Sequence, residues 1–476
     1  MSPDFKPHEY QRVAIEHATS LDRLNLLMSP GMGKTACALM AMDIRSLVAD
    51  TYPALAIGPL RVANSVWNRE VSKWANFKGL RVSKILGSLD DRIRALRTPA
   101  DVYTIHYGLL KWLHEYLTDT GMAWPFKTVI ADESTRLKHA RPSFRKHPKS
   151  GKINLYIAGS VNSGALARYA LRTPYWINMT GTYTPNGLQD AWGQQWFIDF
   201  GETLGSSYDA YTKRWFYQRR GTSAEQAVFE PFPHALDEIT KRLKPSTISL
   251  DAYDWFDVEK PREVDIEIEL PEKLMKDYRK LHREAMLKLE NETVITAVNA
   301  GAITNKCLQY ASGHVYDADQ NHHFIHAEKL DALDSLHTQL NGAPLLVAYH
   351  FKPTREAILK RFPFAELLPS DHRQKEVEDR WNAGKIPMLV VHPASAGHGL
   401  DLQHGGHNLC IVDPYWDYEM YAQVIERIGP VRQAQAGYKR LVNVYRMRVA
   451  GTFDEVVIDR LTSKASIESA VRGAMQ

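Results

Sequence analysis

The sequence predicts an α/β protein of two tandem domains, each a mostly parallel sheet covered by helices. Three observations carry this. Short apolar runs alternate with amphipathic stretches over the first half of the chain. The alternation then stops in a mixed segment punctuated by Pro231, Pro233, Pro245 and Pro261. It resumes near Pro344 and continues toward the end. Buried runs separated by helical patterns are the signature of a parallel sheet with helices on both faces.

In the first series, Leu24 to Met28, Ala54 to Ile57, Val102 to Ile105, Thr128 to Ala131 and Trp176 to Met179 read as buried strands, and Asn64 to Trp74 as an amphipathic helix. After the proline-rich segment, Leu274, Tyr278, Leu281 and Met286 give Pro271 to Leu289 a helical period. In the second series the strands are Leu345 to Tyr349, Met388 to Val391, Leu409 to Val412 and Leu441 to Tyr445, with helices over Lys375 to Asn382 and Glu419 to Arg427. The expected organisation is a first domain over 1–235, a linker over 236–265 and a second domain over 266–476.

Bulk properties narrow the class without choosing a function. A length of 476 residues suits two to three domains. A hydrophobic share of 44% is that of an ordinary globular chain. A net charge of +4 permits nucleic acid without demanding it. The three cysteines, Cys37, Cys307 and Cys410, are far apart and form no disulfide framework, which fits a reducing compartment. The start, with Asp4, Lys6, His8 and Glu9, has no apolar core and is not read as a signal peptide. No apolar run approaches the ~20 residues that span a bilayer. A cytoplasmic setting is expected.

Met28-Ser29-Pro30-Gly31-Met32-Gly33-Lys34-Thr35 follows a strand and precedes the helical run Ala36 to Met42. Backbone N–H groups at such a helix start, with Gly31, Met32 and Gly33 in the loop, can cradle phosphate oxygens. Lys34 would then reach the β- and γ-phosphates of ATP, and Thr35 would ligate Mg²⁺. Met28 stands where the phosphate-loop pattern has its first glycine. Val129-Ile130-Ala131-Asp132-Glu133-Ser134 puts two acids at the end of an apolar strand, where ligands of open α/β sheets sit. Asp132 is the expected Mg²⁺ carboxylate and Glu133 the base that orients and deprotonates water.

With these boxes in place the chain resembles superfamily 2 helicases, and within them the Swi/Snf-type branch, with short phage-encoded DNA helicases the nearest in character. Gln11, in His8-Glu9-Tyr10-Gln11, is similar to the adenine reader of that group. Gly58-Pro59-Leu60-Arg61, followed by Trp67 and Trp74, is similar to its first DNA-contact motif. Thr180-Gly181-Thr182-Tyr183-Thr184-Pro185-Asn186 is similar to the coupling motif, lengthened by Tyr183-Thr184. Trp196 to Phe200, Tyr208 and Phe216 resemble the segment after it. Glu328-Lys329-Leu330 and Leu346 to His350 stand in the places of the fourth motif. Ser395 to Gln403 resembles the fifth motif, implying nucleotide contacts at Gly399 and Asp401, and Asp413-Pro414-Tyr415-Trp416 resembles the Asp/Trp/Pro element. Gln423 to Arg427 opens the sixth motif, but Pro430 fills the slot of its second arginine. The arginine finger is therefore expected from Arg432, with Arg427 as the fallback.

Other features weigh less. Arg136 to Lys152 is strongly basic and reads equally as a loop that grips phosphates or as a solvated insertion. His322, His323 and His326 cluster but are expected to face solvent. Most of the aromatic residues are expected in cores rather than stacked on bases.

The resemblance implies two RecA-like domains with ATP in the cleft between them, ATP and Mg²⁺ as cofactors, and DNA as track. Three readings follow: a strand-separating motor, a motor that moves on duplex DNA without separating it, and a non-catalytic nucleic-acid-binding scaffold supported only by Met28 and Pro430. RNA as substrate stays open, and no nuclease, methyltransferase or zinc module is legible. If the chain is phage-encoded, its setting is the host cytoplasm.

Overall fold

The computed structural model describes residues 2–147, 150–218, 229–290, 297–317, 319–396 and 400–475. The chain divides into two compact units. The first comprises Met1–Thr222 and Ala227–Trp255 together with Ser466–Gln476, and the second principally Phe256–Ala465.

The first unit holds β1 (Arg23–Met28), β2 (Ala54–Gly58), β3 (Val82–Lys84), β4 (Val102–His106), β5 (Thr128–Asp132), β6 (Ala140–Lys146), β7 (Ile153–Gly159), β8 (Tyr175–Thr180), β9 (Phe216–Gln218), β10 (Phe229–Pro231) and β11 (Thr247–Leu250). Seven of them form one sheet in the order β11-β1-β8-β5-β2-β4-β3. Every neighbouring pair in it is parallel. The central strands are apolar because both their faces are covered: β2 and β5 are buried along their whole length.

The second unit holds β12 (Arg262–Ile268), β13 (His314–Tyr316), β14 (His322–Phe324), β15 (Leu345–Ala348), β16 (Ala365–Leu367), β17 (Met388–Val391), β18 (Asn408–Ile411) and β19 (Asn443–Val449). Six make a second parallel sheet, β12-β19-β18-β15-β17-β16. Each unit is thus a RecA-like parallel sheet flanked by helices.

Three stretches carry structure that the sequence does not make plain. The stretch 236–265 carries the helix Ala235–Leu243, β11 and the start of β12. β11 is only four residues long, and β12 alternates acidic and apolar side chains along a largely exposed edge, so neither shows the apolar run of a central strand. Residues 466–476 pack with the first unit rather than the second. The basic segment 136–152 is no plain loop, since β6 and β7 pair antiparallel across it. Its strand content is hidden in the sequence by Arg141, Pro142, Arg145 and Lys146.

Trp67, Trp176, Trp192, Trp196, Trp215 and Trp381 are all fully buried, so six of the 11 tryptophans fill cores and are withheld from bases. Of the three clustered histidines, His322 and His323 lie exposed on β14, as expected. His326 is buried instead, its Nε2 bonded to the Tyr310 carbonyl at 2.8 Å. The helix Glu328–Gln339 begins two residues later. Among the described residues no group of three or more His, Cys, Asp or Glu could hold a metal ion, and no helix is long and apolar enough to cross a membrane.

Candidate functional site

The sheet order decides where the chemistry-bearing loops meet. β8 lies between β1 and β5, all three parallel. The phosphate loop after β1, the coupling motif after β8 and the acidic pair after β5 therefore emerge side by side at one sheet edge. This is the carboxyl edge, where α/β proteins bind ligands.

The phosphate loop is shaped by two glycines. Gly31 and Gly33 both have φ of +83°, the left-handed region that side chains resist. Gly33 also caps α2 (Lys34–Ser46), so Lys34 and Thr35 open that helix with its first N–H groups at the loop. A Cβ on Gly33 would come within 2.6 Å of Gln11 Nε2. Gln11 lies in α1 (Glu9–Ser20), buried, and its side-chain amide donates to the Met32 carbonyl at 2.9 Å while its Oε1 accepts from the His8 amide at 2.9 Å. Gln11, Met32 and the loop are thus one assembly. Met28 is the last residue of β1 and fully buried. Where the pattern has its first glycine the chain is still in β1, and the turn starts at Ser29. The Lys34 ammonium donates to the Met28 carbonyl at 2.9 Å.

Asp132 ends β5 with 7% of its surface exposed. Burial, then the neighbouring Glu133, push its carboxyl up to about 7, while the Lys34 ammonium pulls the other way. A buried carboxylate at this edge, opposed by its neighbour's charge, is one a divalent cation would hold ionised. Asp132 with Thr35 therefore fits Mg²⁺ bound alongside nucleotide phosphates. Glu133 adopts φ 56°, left-handed for a residue with a side chain. Its turn is fixed from outside: the Tyr107 hydroxyl donates to the Asp132 carbonyl at 3.0 Å and to that of Glu133 at 3.4 Å. The Ser134 hydroxyl bonds Gln194 at 2.8 Å. Sequence reasoning misses Tyr107 and Gln194. A Tyr just past a strand and a Gln within a buried helix carry no spacing signal.

The coupling motif closes the third side. The Thr180 hydroxyl donates to the Thr182 carbonyl at 2.6 Å, and the Thr182 amide returns to that hydroxyl at 3.1 Å. A Cβ on Gly181 would lie 3.0 Å from the Pro30 ring, so this glycine lets the motif rest on the phosphate loop.

Elsewhere in the first unit, the first DNA-contact motif leads into a π-helical turn, Val62–Val66. Trp67 after it is core, and only Trp74 is part-exposed.

In the second unit Pro430 opens the helix Pro430–Gln435, with Gly429 as its cap. Pro suits that first position, where its missing N–H costs nothing. Arg432 follows on this helix and pairs with Asp401 at 2.5 Å. Arg427 is buried and donates to the Gln423 and Leu400 carbonyls at 3.2 and 3.4 Å. Gln433 ties the fifth motif to the sixth, donating to the Gln403 and Gly406 carbonyls. Gly399 lies outside the described residues. Asp413 accepts from the His350 and Phe351 amides at 3.0 and 3.1 Å, fastening the Asp/Trp/Pro element to the fourth-motif strand.

Set against known proteins, the chain is 44% identical over 476 residues to protein p41 of Acyrthosiphon pisum secondary endosymbiont phage 1, covering 99% of both. The chain belongs to the family of that phage protein. It is also 22% identical over 506 residues to a DNA repair and recombination protein RAD54-like of Gallus gallus, covering 93% of this chain and 63% of that one. This relative is in keeping with the resemblance of the motif order to the Swi/Snf-type branch of superfamily 2. Two solved structures are similar. The SWI2/SNF2 ATPase core of Sulfolobus solfataricus with dsDNA has a TM-score of 0.43 at 18% identity, covering 99% of this chain and 95% of that one. The same core without DNA has a TM-score of 0.40 at 17% identity, covering 98% and 91%. No protein-family profile matches the chain.

Proposed function

We propose that this p41-family protein is a DNA-stimulated ATPase that moves along duplex DNA. The observation that carries the reading is the placement of Lys34 and Thr35 after β1 and of Asp132 and Glu133 after β5, at the same edge of one parallel sheet with only β8 between those strands. The reading assigns the phosphates to the loop amides of Gly31, Met32 and Gly33 and to Lys34, and the adenine to Gln11. Thr35 and Asp132 would hold Mg²⁺, which when bound screens phosphate charge and favours in-line attack. Glu133 orients the water and takes its proton. Gly399 and Asp401 are assigned to the nucleotide from the second RecA-like domain. Arg432, before Arg427, is assigned to the charge that develops on the transferring phosphoryl group.

DNA as the track is supported by the RAD54-like relative and by the Swi/Snf-type motif order. The same motif order is the ground for preferring movement without strand separation. The setting proposed is the host cytoplasm, in keeping with the phage relative.

The test pairs two substrates. With ATP, the wild-type protein should displace the third strand of a triplex and leave forked duplex DNA intact, and Lys34→Ala should do neither. Unwinding of the fork would replace translocation by strand separation. Failure on both, with DNA bound tightly, would favour the binding scaffold.

A further inference from the structure

The helix Phe453–Ala474 ends within the first unit. Two charged residues one turn apart on it, Glu468 and Arg472, are buried to 4% and 9% exposure. Burying a carboxylate and a guanidinium is costly unless both are fully hydrogen-bonded. Here the partners are the candidate site itself.

The Glu468 carboxylate accepts from the Tyr183 amide at 2.7 Å, the Thr184 amide at 2.6 Å and the Thr184 hydroxyl at 2.9 Å. Tyr183 and Thr184 are the two residues that lengthen the coupling motif. The insertion leaves two N–H groups pointing into a buried region, and Glu468 is the acceptor that meets them. The Arg472 fork donates to the Gly181 carbonyl at 3.2 Å, the Leu250 carbonyl at 2.9 Å and the Ser29 hydroxyl at 3.2 Å. Ser29 heads the phosphate loop, Gly181 lies in the coupling motif and Leu250 ends β11. One helical turn therefore ties together the ends of three adjacent strands, β11, β1 and β8. A planar guanidinium is suited to this, since it bonds in several fixed directions at once.

We propose that Glu468 and Arg472 are positioning residues for nucleotide turnover, Arg472 setting the phosphate loop through Ser29 and Glu468 setting the coupling motif through Thr184. The inference rests on the ATPase reading above and adds to it two residues outside every motif. Neither touches nucleotide. Their effect is to hold Lys34 and the coupling loop in register, where a displacement of about 1 Å can cost up to about a hundredfold in rate.

The experiment uses the full chain, measuring ATPase kinetics and binding of a fluorescent ATP analogue, with circular dichroism and thermal unfolding on each variant. Glu468→Ala should lower kcat by about tenfold or more with analogue binding changed by less than about threefold. Glu468→Gln keeps one acceptor oxygen and should recover most of that loss. Arg472→Ala should weaken analogue binding by about tenfold, and Arg472→Lys should recover part of it. Ser469→Ala, exposed on the same helix, should change nothing. Thr184→Val removes one of the three bonds and should reproduce a milder form of the Glu468→Ala defect if that variant does not fold. Wild-type kcat and binding in folded Glu468→Ala and Arg472→Ala would overturn the inference. So would equal losses in the Ala and conservative variants, matched by equal falls in unfolding temperature, since those would reflect stability alone. Should the wild type bind the analogue but hydrolyse nothing, the ATPase reading falls, and the Arg472→Ala binding result still decides whether this helix sets the phosphate loop.

Discussion

Glu133 and Arg432 are the two residues to which the proposed function assigns most of the turnover, and each is held in an uncommon way. Glu133 sits in left-handed backbone, a cost of about 1 kcal/mol or more that the Tyr107 hydroxyl bonds to the turn offset. Tyr107→Phe removes those bonds without changing shape. It should lower kcat by about fivefold to tenfold while leaving the KM for ATP nearly unchanged. Steady-state kinetics at saturating DNA read this directly, and a rise in KM alone would mean the turn does not govern Glu133. Arg432 pairs with Asp401, so a role as the proposed arginine finger would require breaking that pair. Arg432→Ala should reduce kcat by about 10³-fold, the scale of an arginine finger. Loss of activity in Arg427→Ala with retention in Arg432→Ala would transfer the role to Arg427. At this scale the sequence is readable wherever chemistry fixes spacing: the glycines, Lys34, Thr35 and the acid pair are local patterns. Tyr107, Gln194, Glu468 and Arg472 are not, because their partners are distant in sequence and any hydrogen-bonding side chain of the right reach could serve.

The β6–β7 hairpin is the element whose role the sequence leaves most open. It follows the acidic pair after the short turn Ser134–Leu137, and its two strands pair over Ala140 to Lys146 and Ile153 to Gly159. Its charges fall into two sets. Lys138 and Arg141 turn inward: Arg141 donates to the Lys138 and Ala140 carbonyls at 2.7 Å and stacks 3.6 Å from the Tyr208 ring. Arg145, Lys146 and Lys152 reach toward solvent, beside exposed Ile153 and Tyr156. Among the described residues of the hairpin, this second set is the one exposed to phosphates. The triple variant Arg145→Ala, Lys146→Ala, Lys152→Ala should weaken DNA binding on every sequence. It should also flatten the slope of log Kd against log salt by about one for each phosphate no longer neutralised. An unchanged slope would make the hairpin a solvated ornament of the fold. The strong elements are legible throughout, since β1, β2, β4, β5, β8, β15, β17 and β18 are apolar runs buried on both faces. The weak ones are hidden. β3 and β16 are three residues long, and β6 and β12 carry charges on their open faces.

Across the whole molecule, the second unit is held by buried polar links as well as by its apolar cores. Lys329 pairs with Asp454 at 2.8 Å, with the two side chains 2% and 0% exposed. Removing one partner strands the other charge, so Lys329→Met should destabilise this unit by about 3–5 kcal/mol in denaturant unfolding. No measurable change would show the pair to be dispensable. His326 adds a pH dependence. Burial, opposed by its bond to Tyr310, lowers its pKa from the ordinary 6.5 to about 4. A depressed folded-state pKa contributes stability that is present above pH 6.5 and lost as pH falls through about 4. Unfolding free energy should therefore decline over that window, and the decline should be smaller in His326→Gln. An identical decline in the variant would assign the acid sensitivity to other groups. The two-domain α/β plan is evident from the interrupted alternation of apolar runs. The return of residues 466–476 to the first unit is not, because a helical period tells which face is buried but not against what.

The measurement that bears most directly on the central claim is steady-state ATPase of the wild type and of Glu133→Gln, each without nucleic acid and with single-stranded DNA, duplex DNA or RNA. The account predicts strong stimulation by duplex DNA and a loss of about 10²–10⁴-fold in Glu133→Gln, the scale of general-base catalysis. Hydrolysis absent under every condition, or undiminished in Glu133→Gln, would contradict it.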